Sequence, residues 1–61
     1  MYYIQLLDNE KTELASYHDV NLLKDAKSIA KGYLKDLEYP DAHKVEIRNS
    51  DNHMCVWDKF K

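Results

Sequence analysis

The sequence predicts an α+β domain in which a four-stranded, mainly antiparallel sheet of two hairpins carries one helix on one face, in the order ββαββ. Three observations predict it. An apolar row recurs at three- and four-residue intervals through the middle of the chain, and two pairs of short segments with a polar break between their members flank that row. The third is size: 61 residues with one Gly and one Pro leave room for a single core. Residues 1–61 therefore read as one domain without repeats, linkers or biased tracts.

The helix rests on Leu22, Leu23, Ala26, Ile29, Ala30, Tyr33, Leu34 and Leu37, which line one side at the helical pitch. Asp19 or Asn21 is placed to cap its first turn. Tyr39, before Pro40, is pushed out of helical geometry, so the element is expected from about residue 20 to about residue 38. Before it, Tyr2–Leu7 and Thr12–Tyr17 read as one hairpin around Asp8-Asn9-Glu10-Lys11. After it, Lys44–Arg48 and His53–Lys59 read as the second, because Val45 and Ile47 alternate with Lys44, Glu46 and Arg48 in the period of a strand with one wet face.

Two registers compete in the second hairpin. A two-residue turn at Ser50-Asp51 would pair Val45 with Val56 and leave Trp57 outside, but such turns favour Asn-Gly. A type I turn on Asn49-Ser50-Asp51-Asn52, with Asn52 left-handed at a bulge, pairs Val45 with Trp57 and Ile47 with Cys55. The second is favoured. It buries Trp57 and Cys55 under the helix and turns Met54 and Val56 outward.

Composition narrows the function. The formal charge is −2, with 11 acidic and 9 basic residues, so no overall attraction to nucleic acid or anionic lipid exists. No apolar run is long enough to span a membrane or serve as a secretory signal, from which a cytoplasmic protein with no membrane role is expected. One cysteine excludes an internal disulfide and a four-cysteine metal site. His53 and Cys55 would need His43 or Asp51 to complete a ligand set, and nothing marks Cys55 as an activated thiol. Gly32, the sole glycine, rules out a glycine-rich phosphate loop. No catalytic residue, metal or cofactor is assigned, and the chain reads as a non-enzyme.

Two surfaces remain as candidates. Lys24, Lys27, Lys31 and Lys35 project within about 80° of one another at the helical pitch. This is either a solvated lysine face or a docking ridge for phosphates or acidic protein. Ser28 and Gly32 leave a small notch on the helix's outer side. The sheet face that one helix cannot cover is expected to carry Tyr3, Gln5, Leu7, Ala15 and Tyr17, with Met54 and Val56 beside them, if Ile4, Leu6 and Leu14 face the helix. Tyrosine and methionine on such a face suit a protein interface, and Tyr3 with Tyr17 reads equally well as a cross-strand pair.

The stretches Asp25-Ala26-Lys27-Ser28-Ile29-Ala30-Lys31 and Lys44-Val45-Glu46-Ile47-Arg48-Asn49-Ser50-Asp51, followed by Cys55-Val56-Trp57, resemble the small ββαββ accessory proteins of phages and mobile elements. The resemblance implies a class of short accessory proteins, some of which act by binding and blocking a host protein, and it transfers no site residue. Asn52 stands where a turn glycine is usual in that class. The resulting expectation is a protein-binding inhibitor that acts through the open sheet face, an exposed strand edge or the lysine ridge, with a homodimer through the sheet expected and weak nucleic-acid binding by the lysine ridge as the alternative.

Overall fold

The computed structural model describes all residues, Met1–Lys61. The elements are β1 (Tyr2–Leu7), β2 (Glu13–Val20), α1 (Leu23–Lys35), β3 (Lys44–Asn49) and β4 (Cys55–Phe60). They form one four-stranded sheet in the order β2-β1-β3-β4, antiparallel throughout, with the helix on one face. The expected α+β class and ββαββ order are therefore found. The two hairpins meet at the centre of the sheet, where β1 pairs β3 from Tyr2↔Asn49 to Leu7↔Lys44.

Burial follows the strand alternation. Ile4, Leu6, Val45 and Ile47 are fully buried and meet Ala26, Ala30 and Leu34 of the helix, with Val20 and Ala42 closing the ends. Alanine at the two central helix positions lets the helix lie close to β1 and β3. No side chain caps the helix: Leu22 holds the cap position, and Asp19 and Asn21 do not bond to the first turn. The sequence places the helix ends too far out at both sides. Val20 belongs to β2, and Asp36 leaves the helix with its N–H on the Tyr33 carbonyl, so Leu22 and Leu37 fall outside the stripe, 52% and 94% exposed.

Irregularities in both hairpins redirect side chains. In β2 the pairing shifts between Tyr2↔Val20 and Ile4↔Tyr17, where Asp19 takes a left-handed φ of 63°. A second shift, from Leu7↔Glu13 to Leu6↔Ala15, makes Leu14 an extra residue, so Tyr17 sits opposite Ile4 on the helix side, near Tyr33, instead of on the open face, and Ala15, opposite Leu6, also packs against the core. Leu14 packs against the core as expected.

In the second hairpin the left-handed residue is His53 rather than Asn52, with its N–H on the Asn49 carbonyl at 2.8 Å. The turn is therefore one residue longer than expected, held by Asn49 and Asn52 side chains that accept from the Asp51 and Met54 amides. Pairing then runs Arg48↔Cys55 but Ile47↔Trp57, so the extra residue lies at Val56. Trp57 reaches the helix side as expected. Cys55 does not: it lies opposite Arg48 on the open face and is exposed. Met54 is in the turn and Val56 at the irregularity, so neither joins the paired rows of the open face.

Candidate binding surfaces

Strand alternation predicts a partly apolar patch on the open face, and its centre is instead an ion lattice. Lys44, Glu46 and Arg48 alternate along β3 on this side, with Glu46 in the middle and only 8% exposed. Lys44 Nζ lies 2.9 Å from Glu46 Oε2 and 3.3 Å from Asp58 Oδ2, while Arg48 donates Nε and Nη2 to Glu46 Oε1 at 3.1 and 2.8 Å. Burial works to raise the Glu46 carboxyl. The hydrogen bonds and charges of Lys44 and Arg48 outweigh it and hold the group below the ordinary carboxylate range.

Around that lattice the aromatics are already engaged with one another. Tyr3 stacks on His18 with ring centroids 5.2 Å apart and is hydrogen-bonded through Oη to His53 Nδ1 at 3.0 Å. Arg48 Nη1 donates to the His53 carbonyl at 2.6 Å and so anchors the turn to the face. Gln5 Nε2 donates to Glu13. Phe60 packs against His43 and beneath the Lys44 ammonium, and Leu7 is buried beside Lys44 and Glu13. A recess of about 420 Å³ at this end is lined by Leu7, Asp8, Lys11, Glu13, Lys44 and Phe60, with charges of both signs.

The Cys55 thiol is hydrogen-bonded to a backbone carbonyl and not to an imidazole. Cys55 Sγ reaches the Trp57 carbonyl at 3.4 Å, and its neighbours with donor atoms are Glu46 and Asp58, all within 4.8 Å of one another. A cation at that point would have to displace Lys44 and Arg48 from Glu46. His43 lies against Phe60 and His53 against Tyr3, so the ligand set Cys55–His53–His43 does not assemble.

The other surface lies between the helix and β4. The helix packs over β1 and β3, and β4 extends past it as an edge strand, with only Trp57 among its residues half-buried. The lysine ridge runs along that overhang. Lys27 Nζ stands 6.0 Å from the Trp57 ring centroid, and further along Lys31 and Lys35 share a shallow recess of about 70 Å³ with Leu34 and Lys59. Lys24 is exposed on the same flank of the helix. None of Lys24, Lys27, Lys31, Lys35 and Lys59 belongs to an ion pair, since all those present involve Lys44 or Arg48. Four of these lysines are legible from the helix pattern but Lys59 is not, because its place beside the row depends on the sheet order that sets β4 at the edge.

The backbone of β4 is free on its outer side. The Lys61 N–H donates to the His43 carbonyl at 2.9 Å, which makes Val45/Lys59 and Ile47/Trp57 the bonded pairs of the ladder. The N–H and C=O groups of Asp58 and Phe60 therefore point away from β3. Gly32 has nothing within 4 Å of the place a Cβ would occupy, so the notch it forms with Ser28 touches no other part of the chain.

No family model, curated protein or solved structure matches this chain. No helix is long and apolar enough to cross a membrane.

Proposed function

We propose that this chain is a non-enzymatic binding module that occludes a protein partner by pairing through the β4 edge. The observation that carries the reading is the regular stretch Trp57–Phe60, whose outward backbone groups are unpaired and of whose side chains only Trp57 is half-buried. An exposed edge of this kind is a template for strand addition, in which backbone bonds supply affinity and alternate side chains supply specificity. The opposite edge is less suited: β2 breaks register twice and kinks at Asp19. The open face contributes selectivity more than adhesion, since its charges are satisfied within the lattice. This mode fits the blocking role implied by the resemblance to phage and mobile-element accessory proteins.

Affinity capture from the native host, comparing the natural chain with Phe60→Pro, tests the reading. Proline there removes an outward N–H and leaves the β3–β4 ladder intact. A partner captured by the natural chain and lost by the variant, with both folded by circular dichroism, is the expected result; equal capture by both overturns it.

A second reading, single-stranded nucleic acid along the ridge, is favoured by one observation: Trp57 lies among lysines that have no ion pairs. Arg48, the only arginine, is committed to Glu46 and His53 on the other face. Oligothymidylate binding that weakens steeply with salt and vanishes when Lys24, Lys27, Lys31 and Lys35 become glutamate tests it.

A further inference from the structure

We infer that the occupant of the β4 edge is an acidic extended segment of a partner protein, with carboxylates at alternate positions that settle over the lysine row. The inference rests on the edge-binding reading above and adds the chemistry of what is bound.

Position comes first. Lys27 stands at Trp57, and Lys31 and Lys35 stand at Lys59, so the helix row and the strand advance together along the overhang. Lysines four apart on a helix are about 6 Å apart along its axis, and every second residue of a strand advances about 6.6 Å. A strand added outside β4 therefore presents successive helix-side residues in step with Lys27, Lys31 and Lys35. The opposite set of its side chains falls beside Asp58 and Phe60, where apolar groups meet the exposed Phe60 ring.

Charge selects the occupant. Lys27, Lys31 and Lys35 repel one another as like charges four apart, and no carboxylate of this chain relieves them. An alternating acidic segment supplies the missing counter-charge from a fixed distance. A second copy of this chain does the opposite. Antiparallel pairing of β4 with β4 would place both helices on one side of a continuous sheet and bring two lysine rows together along the seam. Lys59, pointing to the same side, adds to that repulsion and protects the edge against self-pairing. Nucleic acid would satisfy the lysines without using the outward N–H groups of Asp58 and Phe60.

The probe is a synthetic peptide of four Val-Glu repeats, titrated against the full chain with Trp57 fluorescence as the signal, beside a peptide of the same composition with its glutamates in one block, and oligothymidylate. The expected result is binding of the alternating peptide that weakens about tenfold when salt screening is raised to a Debye length of about 3 Å. It is lost in Phe60→Pro and in the combined Lys27→Glu, Lys31→Glu, Lys35→Glu chain, with the milder Lys→Gln set as a folded check. Several results overturn the inference: no binding by the alternating peptide, equal binding by the block peptide, or oligothymidylate binding that ignores Phe60→Pro. If host capture is sensitive to Phe60→Pro but unaffected by the lysine variants, edge binding stands and the acidic occupant falls. If capture ignores Phe60→Pro, the edge reading itself falls.

Discussion

Arg48 and Glu46, two residues apart on β3, are joined by two hydrogen bonds to a single oxygen, Glu46 Oε1, while the other oxygen takes Lys44. Three alternate residues of one sheet face thus satisfy each other. The carboxylate is the least exposed member, and removing its charge leaves two cations without a counter-ion between them. Glu46→Gln is expected to cost about 1–2 kcal/mol at neutral pH, measured by urea unfolding. A cost near zero would show that the lattice is only a surface feature.

The same pair sets an acid limb. The Glu46 carboxyl is held below its unfolded value, so the unfolded chain takes up the proton first; the contribution is complete above the ordinary carboxylate range and is lost as pH falls through the lowered folded value. Lys44, raised chiefly by its hydrogen bond to Glu46, keeps its share until pH climbs past the usual lysine range. The stability gap between the natural chain and Glu46→Gln should narrow below about pH 4. A gap independent of pH contradicts the assignment.

Cys55 lies on the open face, exposed, where the pairing Arg48↔Cys55 puts it. A thiol reagent should label one group per chain in the native state, at a rate that does not depend on added urea. Protection until global unfolding would return Cys55 to the core and shift the register. Cys55→Ala should change stability by less than about 0.5 kcal/mol.

Gly32 sits inside α1 with open space where a side chain would go. Gly32→Ala should stabilise by about 1 kcal/mol, which in a domain of this size raises Tm by about 4–8 °C. If it also leaves peptide or partner binding intact, the notch with Ser28 has no docking role.

Legibility in the sequence divides along local regularity. Ala26, Ala30 and Leu34 announce the buried helix face by spacing alone, and Val45 and Ile47 announce the buried face of β3. Tyr17 and Cys55 depart from the simple alternation for a shared reason. Each follows one extra residue counted from its turn, Leu14 in β2 and a residue within the second turn itself, and a single extra residue reverses the facing of what comes after it until another, at Val56, returns Trp57 to the helix side. Neither site carries a glycine to mark it. In the second turn Asn52 and His53 both tolerate the left-handed region, and only tertiary pairing chooses His53. The ridge is legible as a pattern on the helix, but its alignment with β4 requires the sheet order, which no local signal contains.

The ends of the apolar stripe give the last test. Leu34 and Leu37 fit one periodic row equally well, yet Leu34 is 7% exposed in the core and Leu37 is 94% exposed beyond Asp36. Leu34→Ala removes packing against the sheet and should cost about 2–4 kcal/mol, a large share of the roughly 3–9 kcal/mol that a chain of this length holds in total. Leu37→Ala should stay within about 0.5 kcal/mol. Parallel urea titrations decide the point: comparable losses would mean that the helix continues to Leu37 and that Asp36 does not end it, whereas a loss confined to Leu34 fixes the helix end where the Asp36 N–H turns back to Tyr33.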